Sequence, residues 1–192
     1  MLKSPRVNRR VTELIARVLA NDDRHAFGEL VRQHQAALRG FLRRLTGGQQ
    51  ALADDLAQEA FLEAYRSLAR FNGESTFGTW LHGIAYNRFR SARRRQRETV
   101  EWTDETEMAN AMAGGEMSVP AASATVDLQQ DLAGALARLS TDEQAAIHLC
   151  YVEGLTHEEA ARVLGCPLGT LKTHVFRAKD KLRAILGAWV PA

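Results

Sequence analysis

Cysteine, long apolar runs and strand-like alternation are all scarce in this 192-residue sequence. Its two cysteines are too few for a disulfide framework, so a reducing, cytoplasmic compartment is expected. No apolar run approaches the roughly 20 residues of a membrane helix, and none follows the basic start, so neither membrane insertion nor a signal peptide is expected. No segment alternates apolar and polar residues as a strand does, which predicts an all-α fold.

The motifs that usually mark an enzyme are also missing. The sequence has no glycine-rich phosphate loop, no recognisable Ser/His/Asp arrangement and no defensible pair of catalytic carboxylates. The HEE run at residues 157–159 lacks the second histidine of a metalloprotease helix. A metal set of His148, Cys150 and Cys166 is a minor alternative, because both cysteines fall where small core residues are expected. We therefore predict no enzyme activity, no cofactor and no metal site.

The net charge of +2 conceals three blocks of different sign. Residues 1–97 hold 18 Lys and Arg against 9 Asp and Glu, a net charge of +9. Residues 98–139 hold 1 against 8, a net charge of −7, and residues 140–192 hold 6 of each. This division indicates two modules and a linker, and the basic block favours a polyanionic partner.

Helical periodicity runs through the first 97 residues. It predicts helices over residues 11–19, 26–45 and 51–69, and a fourth from about residue 76 into an arginine-rich stretch. From Glu98 to about Ala124 the pattern breaks down, and this acidic segment with Gly114-Gly115 predicts a flexible linker.

The last third of the chain carries clear helix start and stop signals. Two capping boxes fit the sequence, Ser140 with Glu143 and Thr156 with Glu159. The first helix is expected to reach Glu153, and the second to end at Gly165. After a Cys-Pro turn, a third helix is expected from about Gly169 to Leu186. Two helices joined by a tight glycine-containing turn predict a helix-turn-helix between Thr156 and Leu186.

The last of these helices has two different faces. Its apolar residues form one stripe, with Leu171, Val175, Ala178, Leu182 and Ile185. Its other face presents Lys172, Thr173, Phe176, Arg177 and Lys179. We predict that the first four of these contact duplex DNA, since cations reach phosphates or guanine and an exposed phenyl ring can touch a thymine methyl. The alternative is a protein-binding helical bundle with a solvated basic face.

The fourth predicted helix ends in a dense run of arginine. Six of the ten residues from Arg88 to Arg97 are Arg, which indicates a phosphate-tracking surface, although a solvated helix end is the alternative. Beside the core face, steps of three and four define a reading stripe of Trp80, Gly83, Asn87, Arg90 and Arg94. An aromatic ring, an amide and guanidinium groups in line suit unstacked bases, although core packing is the alternative for Trp80.

The third predicted helix carries acidic and amide side chains. This acidic ridge consists of Asp54, Asp55, Gln58, Glu59 and Glu63. Three of its carboxylates are spaced by four residues and so line one helix face. On a basic module, such a ridge predicts a docking face for a basic protein rather than for DNA, and a solvated face is the alternative.

Three stretches of the sequence resemble bacterial RNA polymerase sigma factors of the extracytoplasmic function (ECF) group. DDLAQEAFLEAY at residues 54–65 resembles sigma region 2.2, and FNGESTFGTWL at 71–81 with IAYN at 84–87 resembles regions 2.3 and 2.4. GLTHEEAA at 154–161 and CPLGTLKTHVFRA at 166–178 resemble region 4. The resemblance implies a first helix or extension at 1–20, a region 2 bundle at 21–97, a flexible acidic linker at 98–127 and a region 4 helix-turn-helix domain at 128–192.

The resemblance also implies a role in transcription initiation, for which the chain would bind core RNA polymerase and promoter DNA. The acidic ridge would dock on the clamp helices of the largest polymerase subunit. The implied readers of the melted minus-10 element are Asn72, Ser75, Trp80, Asn87, Arg90 and Arg94. The four predicted DNA contacts of the last helix would enter the major groove at the minus-35 element. Such factors are held inactive by an anti-sigma factor, which is an implied partner.

A repressor or response-regulator type of helix-turn-helix protein is the competing interpretation. It would share the C-terminal module with a sigma factor. It would leave the acidic ridge, the reading stripe and the acidic linker without a function.

Overall fold

Every regular element in the described residues is helical, which confirms the predicted all-α class. The computed structural model describes residues 9–102, 132 and 134–186, with the backbone alone described over 97–102. These residues form two compact units, one on each side of the boundary between residues 108 and 109. In this described part of the chain, no helix is both long and apolar enough to cross a membrane.

The first unit is a helical bundle built on apolar stripes. Its elements are α1 (Arg9–Asn21), α2 (Arg24–Leu45), α3 (Gln50–Arg66), a 3-10 turn (Leu68–Arg70) and α4 (Phe77–Trp102). Helix α3 packs against both α2 and α4, and α1 packs against α2. The core includes Phe41, Leu42 and Leu81, whose side chains are fully buried. Burial of each such side chain stabilises the bundle by about 1.5–3 kcal/mol.

The first helix is part of this bundle. The apolar side chains of Val11, Leu14, Ile15 and Val18 are buried as the periodicity predicts, whereas Leu19 is exposed. Asp23 caps the next helix, since its carboxylate accepts a hydrogen bond from the Ala26 N–H at 3.0 Å. Residues 1–8 of the predicted N-terminal extension lie outside the described residues.

Two helix ends in this unit differ from the sequence-based expectation. Helix α3 ends at Arg66 rather than near Ala69, because the chain tightens into the 3-10 turn. Helix α4 continues to Trp102, past the predicted linker start at Glu98. No Gly or Pro interrupts residues 88–102, so nothing in the local sequence stops the helix earlier. Residues 103–127 of the predicted linker lie outside the described residues.

The second unit contains the predicted helix-turn-helix. Its elements are α5 (Thr141–Ile147), a π-helical turn (His148–Val152), α6 (His157–Leu164) and α7 (Leu168–Leu186). Both capping boxes are confirmed, with hydrogen bonds of 2.8 and 3.3 Å at Ser140 and of 2.8 and 3.2 Å at Thr156. Gly165 ends α6 with a φ of 62°, a left-handed conformation that favours glycine. Residues 187–192 lie outside the described residues.

The π-helical turn is a departure from the expected continuous α-helix up to Glu153. The Glu153 N–H donates to the His148 carbonyl at 3.1 Å, five residues back, so this turn is wider than an α-helical one. The chain then reverses at Gly154, which has a φ of 67°. Hydrophobic periodicity cannot report such a single widened turn, because the apolar spacing on either side stays helical.

Glu143 joins the start of α5 to α7. Its carboxylate accepts two hydrogen bonds from the Lys181 ammonium, at 2.8 and 3.0 Å, and one from the Ser140 N–H. Burial raises the pKa of Glu143, but the hydrogen bonds from Lys181 and Ser140 outweigh it, so the pKa lies below its ordinary value.

This shift predicts an acid-dependent loss of stability in the second unit. Because the folded-state pKa is the lower one, ionised Glu143 stabilises the fold fully above its unfolded pKa, and that stability is lost as the pH falls through the lower, folded-state pKa. Glu143→Gln should weaken the cap and lower the free energy of unfolding at pH 7 by about 1–2 kcal/mol. It should also flatten the acid dependence.

Urea unfolding at a series of falling pH values, with hydrogen exchange read on peptides from α5 to α7, tests this expectation. Glu158→Gln is the matched control, because Glu158 is an exposed acid in the first turn of α6. Equal effects of the two substitutions on the acid dependence would contradict the assignment to Glu143.

Candidate nucleic-acid and protein interfaces

The structure separates the two faces of α7 as the spacing predicts. Leu171, Val175 and Ala178 are buried, while Leu182 and Ile185 are half-buried near the end of the helix. All four predicted DNA contacts are exposed, namely Lys172, Thr173, Phe176 and Arg177. Phe176 is 69% exposed, so its ring does not pack into the core of this unit and is available for an apolar contact with a partner.

A hydrogen bond within α7 limits the groups that Thr173 can present to DNA. Its hydroxyl donates to the Gly169 carbonyl at 2.9 Å. The hydroxyl oxygen therefore remains an acceptor, and the methyl group remains available for an apolar contact. An acceptor at this place suits the amino groups of adenine or cytosine in the major groove.

The reading stripe of α4 is exposed over most of its length. Asn87, Arg90 and Arg94 all lie at the surface. Trp80 is half-buried, because its ring packs against Phe71 and Phe77 with centroid distances of 5.3 and 5.8 Å. Trp80 is therefore partly a core-packing residue, as the alternative predicts. The exposed part of its side chain remains accessible to a partner.

The turn before α4, at residues 72–75, is held by short-range hydrogen bonds. The Asn72 side-chain carbonyl accepts from the Glu74 N–H at 3.1 Å, and Gly73 has a φ of 75°. The half-buried Ser75 donates from its hydroxyl to the Thr76 carbonyl at 3.3 Å. Asn72 is exposed, and because its side-chain oxygen is the acceptor in this bond, its amide N–H2 can still donate.

The acidic ridge is partly neutralised by arginines of neighbouring helices. Asp55, Gln58 and Glu59 are exposed. Half-buried Asp54 pairs with Arg39 of α2 at 3.2 Å. On the same helix, Glu63 forms a close ion pair with Arg88 of α4, which also lies 3.9 Å from Glu59.

Arg88 is therefore placed differently from the rest of the arginine run. The arginine run predicts that it tracks phosphates, but the packing of α3 on α4 directs it onto the acidic ridge. Arg90, Arg93, Arg94 and Arg95 are exposed, and the Arg93 guanidinium lies 5.8 Å from the centroid of the Phe89 ring. The side chain of Arg97 lies outside the described residues.

Both cysteines are half-buried free thiols in the second unit. Burial raises the pKa of Cys150 and of Cys166, and the nearby Asp142 adds to the shift at Cys166. A raised pKa disfavours the thiolate that nucleophilic or metal chemistry needs. Both are half-buried rather than fully buried, so the expectation of small core residues holds only in part.

Comparisons with known proteins match both units. The family model described as Sigma-70 region 2 matches residues 30–99, and that described as Sigma-70, region 4 matches residues 129–182. The RNA polymerase sigma-H factor of Pseudomonas aeruginosa is 34% identical over 177 residues, which cover 88% of this chain and 90% of that protein. The ECF RNA polymerase sigma-E factor of Escherichia coli K12 is 33% identical over 175 residues, with the same two coverages.

A solved structure extends the match from sequence to fold. The sigma factor RpoE from Bartonella quintana, in complex with the anti-sigma factor NepR, gives a TM-score of 0.67 at 30% identity. The match covers 84% of this chain and 96% of that chain. The acidic ridge and the reading stripe lie inside the region 2 match, and the exposed face of α7 lies inside the region 4 match. The chain therefore belongs to the ECF group of the sigma-70 family and is an alternative sigma factor of RNA polymerase.

Proposed function

We propose that this protein binds core RNA polymerase in the cytoplasm and directs it to promoters with matched minus-35 and minus-10 elements. The observation that supports the proposal most strongly is that one chain carries surfaces suited to a protein partner and to DNA. One unit combines an acidic docking ridge with a basic reading stripe, and the other presents an exposed recognition face. In this role the chain is a specificity subunit without catalysis of its own, with its DNA readers in the segments 21–97 and 128–192.

Helix α7 is the proposed reader of the minus-35 element. The first residues of a recognition helix enter the major groove most deeply, and Lys172 and Thr173 lie in the first two turns of α7. Arg177 follows one turn later and can bind guanine in a bidentate way. Phe176 offers an apolar contact for a thymine methyl group. The exposure of all four side chains supports this assignment.

The start of α4 is the proposed reader of the melted minus-10 element. Extruding a base from the duplex costs a few kcal/mol, and stacking on an aromatic ring recovers about 1–3 kcal/mol per base. Packing against Phe71 and Phe77 immobilises the Trp80 ring, which reduces the entropy lost when a base stacks on it. Asn72, Ser75 and Asn87 supply polar groups nearby in the chain, and Arg90 and Arg94 supply charge for the backbone.

The acidic ridge is the proposed docking face for the clamp helices of the largest polymerase subunit. Asp55, Gln58 and Glu59 are exposed and suit a partner with basic and polar groups. Arg88 and Arg39 reduce the net charge of this face. A mixed-charge surface of this kind favours one orientation of the partner over non-specific attraction.

An anti-sigma factor is the proposed regulator of this protein. The matched RpoE structure contains the anti-sigma factor NepR. Each of the proposed polymerase and promoter surfaces includes exposed side chains, so a protein that covers any one of them would block initiation.

Transcription in vitro from a random promoter library, with purified core polymerase and this chain, tests the proposal. We expect enrichment of promoters that share two spaced elements, and only weak duplex binding by the free chain. Tight promoter binding without polymerase, or no gain in affinity when polymerase is added, would support a repressor instead.

Two substitutions test whether the minus-35 and minus-10 readers have separate functions. Arg177→Ala should weaken holoenzyme binding to the minus-35 duplex by about 1–3 kcal/mol. Asn87→Ala should leave that binding intact and reduce strand opening, measured by permanganate reactivity at the minus-10 element. If both substitutions lower duplex affinity equally, the division of labour is wrong.

A further inference from the structure

The π-helical turn places a large aromatic side chain at the surface beside α7. Tyr151 lies in this turn and is 57% exposed. Widened helical turns of this kind are frequent at functional sites. Tyr151 is not among the proposed DNA contacts.

The ring of Tyr151 already has a cationic partner. The Lys179 ammonium lies 5.2 Å from the ring centroid, within the range of a cation–π interaction. Lys179 follows Phe176 by three residues and Lys172 by seven, so the three side chains share one face of α7. Lys179 and its ring partner therefore lie next to the proposed DNA contacts, on the same face of α7.

We propose that Tyr151 is a positioning residue that holds Lys179 for binding to a DNA phosphate flanking the bases read by α7. This inference rests on the proposed minus-35 function. Seven residues of helix separate Lys179 from Lys172 by about 10 Å along the axis. At that distance a side chain leaves the floor of the groove and reaches its phosphate wall, while the start of the helix contacts bases.

The two lysines of this part of α7 have different tasks. Lys181 is committed to Glu143 through two hydrogen bonds and serves the fold. Lys179 contacts the face of a ring, which attracts its charge and leaves its N–H groups available as donors to phosphate oxygen. The ring also restricts a long side chain that would otherwise lose its rotamer freedom on binding.

Holoenzyme binding to a minus-35 fragment across a salt series tests this inference. Lys179→Gln should lower affinity about five- to tenfold near 0.1 M salt and reduce the slope of log K against log salt by about 0.9. Tyr151→Leu should lower affinity about two- to fivefold, and Tyr151→Phe, which keeps the ring, should restore binding to within about twofold. In a Lys179→Gln background, Tyr151→Leu should have no further effect.

Two matched controls use exposed residues of the same unit. Arg138→Gln removes an exposed positive charge that precedes α5, and Val152→Ala trims the other exposed apolar side chain of the π-helical turn. Neither should change the salt slope. An equal loss with Val152→Ala, an undiminished Tyr151→Leu effect without Lys179, or reduced affinity for core polymerase would overturn the inference. If Arg177→Ala is also without effect on DNA binding, the proposed minus-35 function itself fails.

Discussion

Leu171→Ala is expected to lower the free energy of unfolding of the second unit by about 2–5 kcal/mol. The Leu171 side chain is fully buried in α7, which packs against both α5 and α6. Truncation would leave a cavity at the contact that orients the recognition face, next to Lys172. In a unit this small, such a loss is a large part of the total stability. We therefore expect minus-35 binding to fail while the first unit stays folded.

Urea unfolding with hydrogen exchange resolved by peptide measures this effect in each unit separately. Leu132→Ala is the matched control, because the same change is made on a side chain that is 42% exposed and should cost less than about 1 kcal/mol. Protection in α2 to α4 should be unchanged by either substitution. Comparable losses from both leucines would show that burial of Leu171 is not what holds the recognition helix.

Trp80→Ala is expected to have the second large effect, on both stability and strand opening. The ring contacts Phe71 and Phe77, so its removal should cost the first unit about 2–4 kcal/mol, less than for a fully buried tryptophan. Loss of the proposed stacking platform should reduce formation of the open complex by at least tenfold.

Trp80→Phe separates the two roles of this side chain. Phenylalanine can keep most contacts with Phe71 and Phe77, so stability should fall by about 1 kcal/mol or less. Its smaller ring offers less stacking area, so strand opening, followed by 2-aminopurine fluorescence at the minus-10 element, should remain several-fold impaired. If a stable Trp80→Phe variant opens promoters normally, Trp80 serves only to pack the first unit and not to stack on a base.

Local signals in the sequence predict the second unit particularly well. Both capping boxes and the left-handed Gly165 occur where the residue types call for them, because caps and turns depend on neighbours within a few residues. The two faces of α7 follow from a spacing of three and four residues, which is also local. The predicted readers of the minus-35 element are therefore exposed as expected.

The acidic ridge and the aromatic residues are different, because their environments depend on residues far away in the chain. Arg88 lies 25 residues after Glu63, and only the packing of α3 on α4 brings the two together. An arginine run indicates a basic surface, but the sequence cannot tell which of its members faces a neighbouring helix. The same reason explains why Trp80 is half-buried beside Phe71 and Phe77.

By itself, the sequence determined that the protein is all-helical, where most helices begin and end, and which face of α7 is polar. It also carried the motifs of the sigma-70 family. Only the tertiary structure decided that Arg88 neutralises part of the ridge, that Trp80 is partly a packing residue, and that Tyr151 contacts Lys179. Helical periodicity and capping are properties of a few consecutive residues, whereas ion pairs and ring contacts between helices depend on how those helices pack.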